Sequence, residues 1–255
     1  MRRIRLIVSY DGTNYSGWQI QKNSVTVEGE LRNALRQLLK EDIEVIGASR
    51  TDAGVHALGN IAVFDTNSGI PSEKFAIALN HYLPDDIRIQ YSDEVLAEYH
   101  PRYQKTEKTY EYTILNTKIA LPMWRNYSYH VYQKLDCHAM CQAAELLVGE
   151  HDFSAFCSAG AQVKSKVRTI YEVSLSEEPI SYMTEGRIIR IRVRGNGFLY
   201  NMVRIIAGTL LDVGMGRRTP QQVWEALQTG ERQKAGPTAP PQGLMLVKIE
   251  HCQNG

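Results

Sequence analysis

Apolar residues along this chain fall into short β-type runs separated by stretches with helical spacing. Residues 27–39 carry Val27, Leu31, Leu35, Leu38 and Leu39 at helical intervals, with Glu28 and Glu30 in the first turn, and predict a helix. Before it, 3–10 reads as a strand, and 43–48 after it as another. The run 60–66 is apolar and β-branched enough for a buried strand. A helix at 71–80 and a strand at 87–95 complete the first half. In the second half, 108–116 puts Tyr110, Tyr112 and Ile114 on one face of a strand. A short strand near 127–132, a helix at 136–148 and strands at 168–176 and 187–194 follow. Helices at 200–213 and 220–227 come next, and a strand at 244–249 closes the chain. Asp136 and Thr219 are N-cap candidates, the latter with proline at the first helical position.

Each half therefore reads β-α-β-β-α-β, the split βαβ order of ferredoxin-like folds. The expected fold class is α+β. Two ferredoxin-like halves, residues 1–103 and 104–255, would join into one mixed, mostly antiparallel sheet with helices on one face and a cleft on the other. The join falls near 99–108, where proline and charged residues interrupt the hydrophobic pattern.

Length and composition leave this picture intact. The 255 residues, 43% hydrophobic, suffice for a substantial core, and no run of eighteen apolar residues predicts a transmembrane helix. The basic start is followed only by Leu6-Ile7-Val8 before Asp11, too short for a signal-peptide core, so a cytoplasmic protein is expected. The cysteines are Cys137, Cys141, Cys157 and Cys252. Cys137-His138-x-x-Cys141 lacks a second ligand pair at zinc spacing, so reduced thiols and no metal are expected. The net charge of +1 argues neither for nor against nucleic acid. Lys105, Lys108, Arg125, Lys164, Lys166 and Arg168 fall in loop-like stretches, and Arg187, Arg190, Arg192 and Arg194 along one strand-like run. Singly they read as solvated faces; as a set they permit a basic cleft for phosphates.

The candidate chemistry concentrates in residues 47–57, where a β-type run empties into a loop carrying Arg50, Asp52, Gly54 and His56. By itself Asp52 reads as a turn former or as a catalytic carboxylate. Arg50 points the same way in an extended segment, and His56 reads as a hydrogen-bonded structural histidine. No Ser/His/Asp set and no phosphate-binding glycine loop is present. Tyr110 is either a core aromatic or a stacking surface for an unpaired base. Arg204 lies between Asn201-Met202-Val203 and Ile205-Ile206-Ala207. It calls for a carboxylate partner if buried, with Asp52 the candidate, or else is a surface arginine whose stem lies on apolar neighbours.

The run Arg50-Thr51-Asp52-Ala53-Gly54-Val55-His56 resembles the signature loop of the tRNA pseudouridine synthase A family. Tyr10-Asp11-Gly12-x-x-Tyr15-x-Gly17-Trp18-Gln19 is similar to the family's opening motif. The helix at 27–39 and segments 80–87, 99–103, 149–156, 196–208 and 239–246 extend the resemblance over nearly the whole chain. Departures are Pro101, where relatives often carry alanine, and a short tail after Ile249. The resemblance implies an enzyme isomerising uridine to pseudouridine at positions 38, 39 and 40 of the tRNA anticodon stem-loop, so that the cleft binds RNA. It implies Asp52 as nucleophile, Tyr110 stacking on the target base and Arg204 paired with Asp52. Arg50, His56 and Arg102 would join Tyr110 in binding substrate, Arg50 helping to place the loop and the flipped nucleotide. It further implies a homodimer, with tRNA as partner and no cofactor. Two other readings stand beside it. One is a non-catalytic tRNA-binding protein or chaperone, which needs the basic cleft but not Asp52. The other is a small-molecule enzyme with His56 as general base.

Overall fold

The computed structural model describes residues 1–160, 163–181, 183 and 185–251. The first elements are β1 (Arg2–Tyr10), α1 (Val27–Leu39), β2 (Ile46–Gly47), β3 (His56–Thr66), α2 (Phe75–Asn80) and β4 (Ile87–Val95). Next are β5 (Thr106–Asn116), β6 (Tyr129–Val131), α3 (Cys137–Glu145), β7 (Gly149–Asp152) and β8 (Val167–Pro179). The last are β9 (Arg187–Gly195), α4 (Met202–Gly214), α5 (Pro220–Thr229) and β10 (Leu244–His251). The fold is α+β, and strand pairing is mostly antiparallel. The chain forms two compact units, one of residues 1–106 with the last strand from Met245, the other Glu107–Leu244.

In the first unit the strands run β4-β1-β3-β10, with the two-residue β2 also on β3. Alternation along β1 sends Ile4, Leu6, Val8 and Tyr10 into the core. Arg3 and Arg5 point the other way and are clasped by Asp65 on β3 and Asp93 on β4. Helix α1 begins at Thr26, whose hydroxyl accepts from Gly29 N–H, and ends at Lys40 in the left-handed conformation. It buries Val27, Leu31, Ala34 and Leu35, and Glu28 and Arg32 pair one turn apart at 2.9 Å.

Two strand expectations changed here. The strand expected at 43–48 pairs only at Ile46 and Gly47, opposite Val63 and Ala62. Ile43 and Val45 are buried, so the sequence pattern reports burial, and past Ile46 and Gly47 the Ala48 N–H also donates to Ile61 O of β3 at 2.7 Å. Strand β3 begins at His56 rather than 60, because Met245 and Leu246 of β10 lie parallel beside His56 and Ala57. The closing strand, read from the sequence as the last element of the second half, thus belongs to the first unit.

In the second unit the order is β5-β9-β8-β7, with β6 parallel to β5. Tyr112, Ile114, Ile191 and Val193 lie in a core with Met140, Phe153, Phe156, Ile205, Ile206 and Leu210. Helix α3 is capped by Asp136, which accepts from Ala139 N–H, and α5 by a reciprocal Thr219–Gln222 capping box, as their sequences predict. Strand β7 was not foreseen: Gly-Glu-His-Asp has no apolar alternation, yet it pairs with Val167–Ile170 of β8. Among the described residues no helix is long and apolar enough to cross a membrane.

Candidate active site

In the first unit the loop carrying Asp52 is held from behind by the segment after β1. Trp18 N–H donates to Thr51 O at 3.1 Å, and Gly54 N–H to Tyr15 O at 3.2 Å. The loop closes on itself through Val55 N–H to Asp52 O at 3.2 Å. Below it, the Tyr10 and Thr51 hydroxyls share a bond of 2.7 Å, and the Asn60 amide donates to Ser49 O at 3.0 Å. Gly17, at φ +91°, permits this approach: a Cβ there would stand 2.5 Å from Thr51 O. Gly12 backs the same loop against the Val55 carbonyl. Thr51 and Val55 are buried while Asp52 is partly exposed. The result is a carboxylate presented by a loop whose backbone has little room to move.

His56 is 4% exposed, and its Nδ1 accepts from Gly12 N–H at 3.0 Å. With Nδ1 as acceptor, the ring proton of the neutral imidazole sits on Nε2. Asp11 Oδ1, 3.1 Å from the same nitrogen, is a partner only to a protonated ring. Asp11 meanwhile accepts from the Thr13 N–H and hydroxyl. His56 thus ties β3 to the opening segment.

Arg50 is exposed, and Arg102 is anchored at one nitrogen, its Nε donating to Gly47 O at 2.7 Å. Desolvation at that anchor lowers the Arg102 pKa most, and the nearby Arg50 charge lowers it further. Neither guanidinium has a carboxylate ion-pair partner among the described residues, although Glu28 acts on Arg102 in the opposite sense. Beside them the His100 and Tyr103 rings stack, with centroids 4.0 Å apart and planes 18° from parallel.

In the second unit, Tyr110 and Tyr112 share a face of β5 but not an environment. Tyr112 is fully buried, its hydroxyl donates to Pro240 O at 2.8 Å, and its pKa is raised, chiefly by burial. Tyr110 is 6% exposed and meets Phe198 edge-on at 5.3 Å. Every residue of α4 except Arg204 is buried. Arg204 Nε donates to Ala239 O at 2.7 Å, and Ala239 N–H returns a bond to Arg204 O at 3.1 Å. A further Arg204 nitrogen donates to Asn201 Oδ1 at 2.8 Å, and the Asn201 amide donates in turn to Ser158. Arg204 is therefore fixed at its own helix entrance and cannot swing freely.

The strand arginines do not form the basic surface their spacing permits. Arg187 pairs with Glu177, Arg190 with Glu178 and Glu111, Arg192 with Glu111, and Arg194 with Glu107 and Glu172. Glutamates on β5 and β8 neutralise the row of cations on β9. Among the described residues no group of three His, Cys, Asp or Glu side chains is placed to hold a metal ion. Cys137, Cys141 and Cys157 are free thiols, and Cys252 lies outside the described residues. Tyr10, Gly17 and Trp18, which hold the Asp52 loop, were visible in the sequence as a motif but not as its support.

Comparison with known proteins adds the family. The family model described as tRNA pseudouridine synthase matches residues 6–104 and 143–251. A protein of Acetivibrio thermocellus called tRNA pseudouridine synthase A is 48% identical over 98% of this chain and 99% of its own length. One of the same description from Ruminiclostridium cellulolyticum is 51% identical over the same shares, and one from Brevibacillus brevis 49%.

Proposed function

The chain belongs to the tRNA pseudouridine synthase family, and on that premise we propose that it isomerises uridine to pseudouridine in the anticodon stem-loop of tRNA, at positions 38, 39 and 40. The observation that carries the reading is Asp52, a partly exposed carboxylate on a loop locked from behind. The reaction breaks the C1′–N1 bond, turns the uracil and joins C1′ to C5. C5 loses a proton and N1 gains one, so composition and oxidation state are unchanged. A stacked uridine hides these atoms, so the target nucleotide is flipped out at a cost of a few kcal/mol, offset by stacking and phosphate contacts.

Asp52 acts on the nucleotide as a nucleophile or by initiating glycal formation. A covalent step divides one difficult displacement into easier ones. Arg204 supplies the positive charge that keeps Asp52 ionised. Tyr110 holds the base and assists loss of the C5 proton. Arg50 helps to place the loop and the flipped nucleotide, Arg102 contacts the substrate, and His56 contributes to substrate binding by fixing the loop from below. These roles rest on the family resemblance and on the surroundings of each side chain within its own unit. We further propose that the enzyme works in the cytoplasm as a homodimer, with tRNA as its partner.

Pseudouridine mapping of a transcribed tRNA with uridines at positions 38–40 tests the reading, with wild type and Asp52→Ala side by side. Pseudouridine with wild type alone supports it. None with wild type, despite tight tRNA binding, overturns it in favour of a non-catalytic tRNA binder.

A further inference from the structure

We propose that His100 and Tyr103, together with Arg102 between them in the chain and the Arg50 that stands near Arg102, form a landing platform for a second nucleotide of the RNA, an unpaired neighbour of the one that reacts. Its base stacks on Tyr103, and the two guanidinium groups take its phosphates. The inference rests on the pseudouridine reading for the identity of the RNA, and on four observations of its own.

The first is exposure. Tyr103 is 84% exposed, more than any other tyrosine among the described residues. The side chain is largely open to solvent. The second is preorganisation. The His100 ring covers one face of Tyr103, and Arg102 N–H donates to His100 Nδ1 at 3.2 Å, so the outer face is presented in a set orientation. Unpaired bases are commonly held by such faces, and base–aromatic stacking is tolerant of sequence. The third is charge. The β9 arginines are each paired with glutamate, whereas Arg50 and Arg102 stand close enough to feel each other and, among the described residues, have no carboxylate in ion-pair contact, Glu28 acting on Arg102 only from farther off. Two like charges left together suit a polyanion that bridges them. The fourth is place. Arg102 Nε is anchored to Gly47 O, at the start of the stretch that leads into the Asp52 loop. The platform and the proposed nucleophile are therefore parts of one unit.

The test uses the full chain and an anticodon stem-loop RNA, with release of tritium from C5-labelled uridine giving kcat and KM. Tyr103→Ala is expected to raise KM by roughly 10-fold, within the range measured for loss of one stacked base, with kcat nearly unchanged. Tyr103→Phe, which keeps the ring, is expected to restore KM. Arg192→Gln, which alters a paired strand arginine, is the charge control and leaves KM unchanged. In parallel, 2-aminopurine is placed at each unpaired loop position of the same RNA and bound to Asp52→Asn. One position is expected to be quenched on binding and to recover with Asp52→Asn/Tyr103→Ala, while thermal unfolding midpoints confirm that both variants fold. A KM for Tyr103→Ala within two-fold of wild type overturns the platform, as does a Tyr103→Phe variant as impaired as Tyr103→Ala. If wild type makes pseudouridine and Tyr103 is silent, the platform fails and the enzymatic reading stands. If wild type makes none while the Tyr103-dependent quench remains, the enzymatic reading fails and the platform stands.

Discussion

Replacing Gly17 with alanine tests whether the support behind the Asp52 loop sets activity. Two costs follow from the structure. Gly17 has φ +91°, in the left-handed region where a Cβ costs about 1–2 kcal/mol. The new Cβ would also stand 2.5 Å from Thr51 O, where ordinary contact begins near 3.4 Å, so the loop must retreat by about 0.9 Å. Such a retreat strains the Trp18 N–H to Thr51 O bond, worth about 1 kcal/mol net. Together these give a destabilisation of about 2–3 kcal/mol, a fall in melting temperature of roughly 4–12 °C for a chain of this size. Displacement of a reacting group by about 1 Å lowers turnover by about 100-fold, so kcat should fall far more than KM rises. Thermal unfolding and steady-state pseudouridine formation at a temperature where both proteins are folded measure the two effects separately. Gly69→Ala, where an added Cβ meets nothing within 4 Å, is the control. A Gly17→Ala protein with wild-type melting and wild-type kcat would refute the claim that this close approach positions Asp52.

Other expectations follow from individual side chains. Asp52→Asn should abolish single-turnover conversion while tRNA binding survives in a filter assay; retained conversion sinks the nucleophile role. Arg204→Leu removes the proposed cation, so the Asp52 carboxyl should ionise later and the acid limb of the pH–rate profile should move to higher pH; an unmoved limb argues against that role. Hydrogen bonding from Arg3 is the chief reason the Asp65 pKa lies below the ordinary carboxylate value. The pair thus stabilises the fold above about pH 4 and loses that stabilisation as pH falls through the depressed value. Asp65→Asn should cost less than about 1 kcal/mol at pH 7, since Asp65 is partly exposed, and the gap to wild type in urea titrations should close in acid. Burial pushes the Cys137 thiol up to about 12. Iodoacetamide at pH 8 should therefore leave it unmodified in the folded protein, and rapid labelling would contradict its burial.

What the sequence conveyed depended on how far apart the partners lie. Helix α1 and strand β4 were legible to the residue, because periodicity and end signals are local. The start of β3 was not, since its first residues are strand only by virtue of β10. Tyr110 and Tyr112 look equivalent by alternation. Both are buried, but Pro240 and Gly243, more than a hundred positions downstream, close over Tyr112. The arginines of β9 likewise read as a basic stripe until Glu107, Glu111, Glu172, Glu177 and Glu178 arrive from two neighbouring strands. At the candidate site, Asp52 was legible as a motif. Its rigidity was not, because that comes from contacts with residues 12–18.

The parallel pairing of β10 with β3 bears on the order in which this protein can be made. A ribosome delivers residues 1–106 long before Met245, and all of 107–244 intervenes. Until then His56 and Ala57, immediately beyond the Asp52 loop, lack their later neighbours, and the side of β3 that β10 will occupy is open to wrong pairing. The nascent first unit is thus held incomplete at the place where its chemistry is proposed to occur. Closing so long a loop is entropically slow but adds little further cost per residue. Completion of the last strand then becomes the event that turns a folded scaffold into a finished enzyme, and a chain stalled before Met245 would carry the motif without its final support.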